Sequence, residues 1–252
     1  MLKTRIMPTL LYKDLGLVKG VRFDSWRRVG SAMQSVKVYN MREVDELVFL
    51  DITATRDGRE PDYELVDDLA DECFMPLTVG GGVSAVEHFE RLLKVGADKV
   101  AVNTALDERP DLIGEAAATF GAQCVVASID ARRTADGRHE AVTRSGTRPT
   151  GRDAVALAVE AQERGAGEIL LTSVDRDGTM EGYDLDLTRA VAAAVTIPVI
   201  ASGGAGEYEH MADALLHAGA SAIAAASMFH FTEQTPLEAK HYLRARGVAV
   251  RI

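Results

Sequence analysis

Short apolar runs rich in β-branched residues alternate along this chain with longer segments in which apolar residues recur every three or four positions. Such runs are typical of buried strands, and the longer segments are typical of amphipathic helices. Helical periodicity is clearest over residues 85–97 and 151–166. Eight runs predict strands, namely 5–11, 46–52, 76–79, 99–103, 124–130, 168–174, 198–202 and 222–227.

Strands that alternate regularly with helices predict a parallel sheet with helical crossovers. Eight such units within 252 residues indicate the α/β class and, within it, a (β/α)8 TIM barrel. A doubly wound open sheet is the alternative. Because no segment rich in Pro, Gly or Ser divides the pattern, we predict a single barrel domain over residues 1–252.

The second half of the chain repeats the first. Residues 79–106 resemble residues 201–229: in both, a glycine cluster opens a helix that carries Glu-His, and a Gly-Ala turn, a strand and a small polar residue follow. Residues 49–58 resemble residues 170–178 in the same order. A barrel built of two similar half-barrels explains the repeat. It also implies that a phosphate site in one half has a counterpart in the other.

The glycine clusters follow the third and seventh predicted strands, and small polar loops follow the fourth and eighth. Backbone N–H groups in such loops, next to a helix N-terminus, can bind an anion. The alternative is that glycine only satisfies the backbone geometry of tight turns. Two matched clusters favour phosphate, and they imply a long ligand with a phosphate at each end. The polar loops contain Asn103, Thr104, Ala226 and Ser227.

Four carboxylates lie at the ends of predicted strands: Asp51, Asp130, Asp175 and Asp177. Carboxylates at the carboxyl ends of barrel strands suit acid–base catalysis, whereas the structural alternative is a helix cap or a salt bridge. We interpret Asp130 and Asp177 as functional and Asp175 as structural. Lys19, in the first loop, is a candidate phosphate ligand or simply a solvated lysine.

At the opposite end of the barrel, charged residues open four of the predicted strands: Arg5, Glu46, Lys99 and Glu168. Isolated buried charges are costly, so these four would have to pair. They could form a salt-bridged plug, or a gate through which something small enters. The residues alone favour the plug.

Composition narrows the functional classes. The net charge of −10 argues against a general nucleic-acid surface. The two cysteines lack metal-ligand spacing, and a chain of this size needs no disulfide. The longest mostly apolar run, residues 190–201, is too short for a bilayer, and no signal-peptide pattern is present. We expect a cytoplasmic protein without a membrane, metal or cofactor, and we interpret Glu209-His210 as helix surface.

Several stretches together are specific: DELVFLDITA, TVGGGV, GADKVAVNTA, RGAGEILLTSVDRDGT, GYD, IASGGAG and FHF. Through them the chain resembles, end to end, the cyclase subunit of imidazole glycerol phosphate synthase. The resemblance implies a lyase- or synthase-type barrel that receives ammonia from a glutaminase subunit docked at its bottom. It implies that the four charges form the ammonia gate. Asp98 and Gln123 lie near the predicted bottom rim and could contact such a partner.

The resemblance also assigns the opposite end of the barrel to a substrate with two phosphates. One phosphate falls on Gly81, Gly82, Asn103 and Thr104. The other falls on Asp177, Gly178, Gly203, Gly204, Ala226 and Ser227. We further assign Lys19, Asp51, Thr172 and Ser202 to substrate binding.

One departure from the family pattern bears on the chemistry. The family uses two catalytic aspartates, at the ends of the first and fifth strands; the second is Asp130, but the first position holds Leu11. A leucine cannot move a proton or orient an amine, so ring formation should be crippled. Strand alternation indicates only that one of Leu10 and Leu11 faces the barrel interior.

A branch of the family, the sugar-amidation paralogues, resembles this chain in having two leucines there. These proteins are thought to deliver ammonia, with a glutaminase and a third protein, for converting a sugar's acetamido group into an acetamidino group. We predict membership of that branch, with a bisphosphorylated or sugar-nucleotide-type substrate. Three alternatives stay open. One is a histidine-pathway cyclase that converts phosphoribulosyl formimino carboxamide ribotide and ammonia to imidazole glycerol phosphate and AICAR. The others are a silent scaffold that activates a glutaminase and a sibling sugar-phosphate isomerase.

Overall fold

The computed structural model describes residues 3–14 and 16–252, so that Met1, Leu2 and Leu15 lie outside the description. The strands are β1 (Arg5–Lys13), β2 (Gly16–Val21), β3 (Asp24–Gly30), β4 (Leu47–Asp51), β5 (Leu77–Gly80), β6 (Lys99–Val102), β7 (Val125–Arg133), β8 (His139–Thr143), β9 (Arg148–Asp153), β10 (Glu168–Ser173), β11 (Val199–Ser202) and β12 (Ala222–Ala225). The helices are α1 (Ala32–Met41), α2 (Tyr63–Asp71), α3 (Val86–Lys94), α4 (Ala105–Glu108), α5 (Asp111–Phe120), α6 (Ala154–Glu163), α7 (Leu185–Ala194), α8 (Tyr208–His217), α9 (Ser227–Phe231) and α10 (Pro236–Ala245). Within the described ranges, none of the helices is both long enough and apolar enough to cross a membrane.

Eight strands close into a parallel barrel. Their order is β10-β11-β12-β1-β4-β5-β6-β7, and β7 pairs with β10 to complete the circle. Each of these strands coincides with one of the eight predicted runs, and helices connect them. The predicted (β/α)8 fold is therefore confirmed, and the closing pair of strands rules out the open sheet.

Strand alternation divides the core into two layers. Met7, Val48 and Leu170 belong to a small apolar cluster inside the barrel, together with short and branched side chains from the other strands. Their sequence neighbours, such as Ile6 and Leu10, belong to the larger cluster between the barrel and the helices. Odd-numbered residues of β1 therefore face the interior, and even-numbered residues face outwards.

Two antiparallel hairpins extend the carboxyl ends of β1 and β7. The first is formed by β2 and β3, and the second by β8 and β9. The sequence had predicted a loop after β1, which is wrong for residues 16–30. The apolar and polar residues of this segment do not alternate cleanly, because β3 is largely exposed and the β2–β3 register is irregular. Lys19 consequently lies on strand β2.

The repeated Glu-His of the two halves has a structural explanation. His88 Nδ1 accepts a hydrogen bond from the Ser84 amide at 3.3 Å, just before α3. His210 Nδ1 accepts one from the Gly206 amide at 3.2 Å, just before α8. Both histidines thus satisfy backbone donors at a helix N-terminus. The interpretation of His210 as plain helix surface was wrong, because its ring serves as a cap.

Candidate functional site

A cavity opens at the carboxyl ends of the eight strands, and we call it the mouth. Side chains and loops from both halves line it, and so do both hairpins. The structure brings together here every residue that the sequence assigned to catalysis or substrate binding, although their roles stay predictions. These residues are Lys19, Asp51, Gly81, Gly82, Asn103, Thr104, Asp130, Thr172, Asp177, Gly178, Ser202, Gly203, Gly204, Ala226 and Ser227.

The two glycine loops have matching backbones. Gly81 and Gly203 both have positive φ, at 108° and 87°. A Cβ at Gly81 would lie 2.2 Å from the Asp51 carbonyl oxygen, and one at Gly203 would lie 2.7 Å from that of Ser173. Glycine is therefore required by the turn itself. Both loops also line the mouth, so a ligand there would contact the two glycine turns.

A buried ion pair crosses one side of the mouth. Lys19 Nζ lies 2.6 and 2.7 Å from the two carboxylate oxygens of Asp177, and Lys19 is only 2% exposed. The alternative of a solvated lysine is thus wrong. The Arg22 amide donates to the Asp177 carbonyl at 2.7 Å, which holds the first hairpin against the loop after β10. The pair places one cation and one anion beside the second glycine loop.

Asp51 has mainly local partners. Its Oδ1 accepts hydrogen bonds from the amides of Thr53 and Ala54 and from the Thr53 hydroxyl, at 2.8 to 3.0 Å. Its Oδ2 lies 3.3 Å from both terminal nitrogens of Arg59. Although Asp51 lines the mouth, these bonds leave its carboxylate little capacity for a ligand.

Asp175 behaves as a structural carboxylate, as the sequence suggested. Its Oδ2 accepts a hydrogen bond from the Arg133 amide at 2.7 Å. The residue lines a separate surface cleft rather than the mouth. It therefore links β7 to the loop after β10 and has no place in the site.

Asp130 is the carboxylate best placed for proton transfer. It lies on β7, faces the mouth and has the Asn103 amide nitrogen 3.3 Å from its Oδ2. Burial raises the pKa of Asp130 to about 7, and the nearby Asp177 carboxylate adds to the rise while Thr172 opposes it. A carboxyl group with such a pKa can both hold and release a proton near neutral pH.

Leu11 also faces the mouth, which resolves the ambiguity left by the sequence. Leu10 is fully buried against the helices, whereas Leu11 is 9% exposed and lines the cavity. Leu50, the residue opposite it on β4, lines the cavity too, and Val18 is its partner on β2. The wall formed by β1 is thus apolar at the position where the resemblance implies an aspartate.

Sequence reasoning missed several residues of the mouth because it treated the hairpins as loops. Phe23 and Trp26 line the cavity from the first hairpin, and Ser145 lines it from the second. Phe23 and Ser145 have φ of 61° and 57°, which is unusual for residues with a side chain. A Cβ at Gly146 would lie 2.9 Å from the Phe23 ring, so the hairpins meet there. Phe23 and Trp26, two aromatic residues close in sequence to the first strand, were the signal that could have indicated a structured segment at the mouth.

At the other end of the barrel, the four predicted charges form one closed cluster, which we call the ring. Arg5 lies 2.6 Å from Glu46 and 2.7 Å from Glu168, and Lys99 lies 2.9 Å from Glu46 and 3.0 Å from Glu168. Burial alone would lower the pKa of Arg5, but the carboxylates of Glu168 and Glu46 outweigh it and raise the pKa. Each cation therefore bridges both carboxylates.

Asp98 and Gln123 lie at the same end of the barrel, just before β6 and β7, and both are exposed. Asp98 Oδ2 accepts a hydrogen bond from the Leu77 amide at 2.8 Å. Gln123 donates to the Phe120 carbonyl at 3.3 Å. The bottom rim thus leaves both residues exposed to solvent.

Comparison with known families adds one finding. A family profile described as "Histidine biosynthesis protein" matches residues 5–235 of the chain. The matched segment begins with the first residue of β1 and ends just before α10. It includes the eight barrel strands, both hairpins, the ring and the whole mouth.

Proposed function

The chain belongs to the histidine biosynthesis protein family, whose members are barrel enzymes of the isomerase and synthase type, and on that basis we propose a more specific role. It is the ammonia-using synthase subunit of a glutamine amidotransferase of the imidazole glycerol phosphate synthase type. Within that type it belongs to the sugar-amidation branch, in which the ammonia serves the formation of an acetamidino sugar.

The observation that carries this proposal is the orientation of Leu11. An acid–base pair across the mouth needs a carboxylate on β1 opposite Asp130, and the side chain that faces the mouth from that position is apolar. A leucine can neither accept nor donate a proton. Ring closure by two facing aspartates is therefore not available to this chain, whereas amination by supplied ammonia does not require it.

The two glycine loops support a substrate with separated anionic groups. They belong to different halves of the barrel, line the same cavity and share the left-handed backbone described above. Lys19 lies beside the second loop, but Asp177 compensates its charge, so an anion there would depend on the backbone N–H groups of the loop. A bisphosphorylated ligand or a sugar nucleotide fits this arrangement.

The ring and the barrel interior support an ammonia path from the bottom. Glu46 of the ring immediately precedes β4, and it is followed on the same face by Val48 in the apolar interior cluster and by Leu50 in the mouth. β10 has the same order, with Glu168, Leu170 and Thr172. An apolar interior favours neutral ammonia over ammonium, because burying an unpaired charge is costly. A glutaminase docked on the bottom rim, near Asp98 and Gln123, would deliver ammonia to the ring.

The histidine-pathway cyclase is the second candidate, and one observation favours it. Asp130 has a pKa of about 7 within a cavity that keeps both glycine loops. A single carboxyl group of this kind could serve as acid and base in turn, without a partner on β1.

One experiment separates the two candidates. The purified protein is given an ammonium salt and the phosphoribulosyl formimino carboxamide ribotide, without a partner, and formation of imidazole glycerol phosphate is followed. We expect no turnover by the natural protein and measurable turnover by Leu11→Asp. Turnover by the natural protein would establish the cyclase and overturn the paralogue proposal.

The matched control is Leu11→Asn, which has nearly the shape of Leu11→Asp but no ionisable group. It should remain inactive if the restored carboxylate is the cause. If both variants gained activity equally, the polarity of the wall and not a proton carrier would explain the gain. If neither gained activity, the site would differ from that of a cyclase by more than this one residue.

A further inference from the structure

The ring at the bottom of the barrel is closed in this structure, and its charges cancel. Two cations, Arg5 and Lys99, balance two carboxylates, Glu46 and Glu168. If one member left alone, a partly buried charge would stay behind without compensation, which is costly. The ring therefore opens at the lowest cost if one cation and one carboxylate separate together from the other two.

The contacts within the ring are not equal in number. Lys99 Nζ lies 3.0 and 2.9 Å from the two carboxylate oxygens of Glu46 but contacts only one oxygen of Glu168, at 3.0 Å. Arg5 makes two contacts with Glu168, at 2.7 and 3.2 Å, and a single one with Glu46, at 2.6 Å. Two hydrogen bonds to one carboxylate hold a cation more strongly than one. The ring is thus composed of two preferred pairs, Lys99 with Glu46 and Arg5 with Glu168.

A fifth side chain supports the first of these pairs. The Thr78 hydroxyl donates to Glu46 Oε1 at 2.6 Å, and both residues are buried. Glu46 immediately precedes β4, Thr78 lies on β5 and Lys99 opens β6, and these three strands are neighbours in the barrel. The three side chains therefore form one hydrogen-bonded unit on one side of the ring.

The second pair has no such support. Arg5 opens β1 and Glu168 opens β10, and the two strands between them, β11 and β12, contribute apolar side chains to the barrel interior. In the described part of the chain, the Glu168 carboxylate is bonded only by the two cations. The side chains of Arg5 and Glu168 are 24% and 14% exposed, against 2% for Glu46. This side of the ring is therefore the one that can move into solvent.

We propose that the ring opens as two neutral pairs. Arg5 and Glu168 move away together towards solvent, whereas Lys99 stays with Glu46. This separation breaks the two single contacts and leaves neither side with an uncompensated charge. Thr78 is then a positioning residue, because its hydroxyl fixes the carboxylate that retains Lys99. The inference rests on the proposed function only in that a small molecule has to pass the ring.

Chemical labelling of the two cations tests this without a partner or a substrate. The full chain is treated with acetic anhydride, which acetylates lysine, and in a separate series with phenylglyoxal, which modifies arginine. The rates at Lys99 and Arg5 are followed by mass spectrometry of peptides. A cation that is paired with a carboxylate has to leave it before it reacts, so each rate reports how firmly that cation is held.

Two matched variants separate the pairs. Glu46→Gln should speed the acetylation of Lys99 by about tenfold or more, the factor that corresponds to the loss of one charge-assisted hydrogen bond. Glu168→Gln should change this rate much less. The order should be reversed for the reaction of Arg5 with phenylglyoxal, where Glu168→Gln has the larger effect.

The role of Thr78 is tested by a second pair of variants. Thr78→Val keeps the shape of the side chain but removes the hydroxyl, and it should speed the labelling of Lys99 while leaving that of Arg5 unchanged. Thr78→Ser keeps the hydroxyl and should behave like the natural protein. A general loosening of the fold would raise both labelling rates together.

Buried lysines in the same samples show whether each variant is folded. Lys19 and Lys240 are almost completely buried, so they should remain unlabelled in every folded variant, whereas the exposed Lys37 gives the rate of the free reaction. If Glu46→Gln were unfolded by this criterion, the comparison of Thr78→Val with Thr78→Ser would decide.

The proposal fails if Glu46→Gln and Glu168→Gln speed the labelling of Lys99 equally, if Glu168→Gln has the larger effect on it, or if Thr78→Val leaves it unchanged. In each case Lys99 would not be the retained cation. These outcomes are independent of the amidotransferase proposal, because no ammonia, glutaminase or substrate takes part in the labelling.

Discussion

The first strands of the two half-barrels, β1 and β7, have the same construction and opposite chemistry. Each is nine residues long and continues into an antiparallel hairpin. Each carries a hydroxyl side chain that lines the mouth, Thr9 or Ser128, two residues before the position at which the two strands differ in chemistry. That position is Leu11 in the first half and Asp130 in the second.

The contrast extends to the neighbouring strand. Leu11 is the register partner of Leu50 on the adjacent strand β4, and Asp130 is the register partner of Thr172 on the adjacent strand β10. The glycine loops, the histidine caps and the acidic members of the ring are present in both halves. The duplicated scaffold therefore keeps its ligand-binding loops in both halves, while the residues suited to proton transfer are concentrated in one wall of the mouth.

The largest expected effect comes from removing the Asp130 carboxylate, so that the second half, like the first, has no acid–base group at this position. In the Leu11→Asp background, Asp130→Asn should lower ring formation by about 10²- to 10⁴-fold, the usual contribution of a general acid–base group. The assay is the ammonium-dependent reaction with the ribotide, and Ser128→Ala in the same background is the control. Full activity in the double variant would mean that Asp130 is not the acid–base group.

The link between the halves is the next test. Lys19 belongs to the first half and Asp177 to the second, and both are buried. Lys19→Met leaves the Asp177 carboxylate without its partner, so the free energy of unfolding should fall by about 3–5 kcal/mol. Urea denaturation measures this loss. Adding Asp177→Asn should recover part of it, and Lys37→Met, which removes an exposed pair with Glu72, should have little effect. A loss no larger than that of Lys37→Met would argue against the buried pair.

The raised pKa of Asp130 predicts how stability depends on pH. The group titrates at about 7 in the folded protein, against an ordinary value of 3.8. Between these values the folded state binds more protons than the unfolded state, so this carboxyl lowers the free energy of unfolding as pH rises from about 4 to about 7. The free energy of unfolding, measured by denaturation at several pH values across this range, should therefore fall less steeply with pH for Asp130→Asn than for the natural protein. Parallel curves for the two proteins would contradict the assignment.

The smallest effect tests the feature that the halves share. His88→Ala and His210→Ala should each lower the free energy of unfolding by about 1 kcal/mol, the usual cost of losing a helix cap. The two losses should be similar, because each ring accepts an amide hydrogen bond before the equivalent helix. His217→Ala, at the exposed end of α8, is the control. Unequal losses would show that the two caps have diverged.

Much of the fold could be predicted because strand and helix periodicities are local and strong. The eight barrel strands are buried on both faces and therefore stand out as apolar runs. The hairpins do not, because β3 lies exposed and its register with β2 is irregular. Their contribution to the mouth, through Phe23, Trp26 and Ser145, was consequently missed.

The candidate site was predictable where the repeat placed loops at the ends of strands, as for Gly81 and Gly203. It was not predictable where a side chain depends on a distant partner. Lys19 is buried because Asp177, 158 positions away, pairs with it. The orientation of Leu11 depends on which face of β1 points into the barrel. The sequence does not indicate this, because both faces of the strand carry apolar residues.

The contact between the two hairpins has a kinetic consequence. Phe23 of one hairpin lies against Gly146 of the other, so part of the cavity wall is formed by two touching segments that belong to different halves. A ligand that passes between the two hairpins must separate this contact. Its residence time then depends on a motion shared by both halves, and a substitution in either hairpin can change how long a ligand stays without altering any group that touches it.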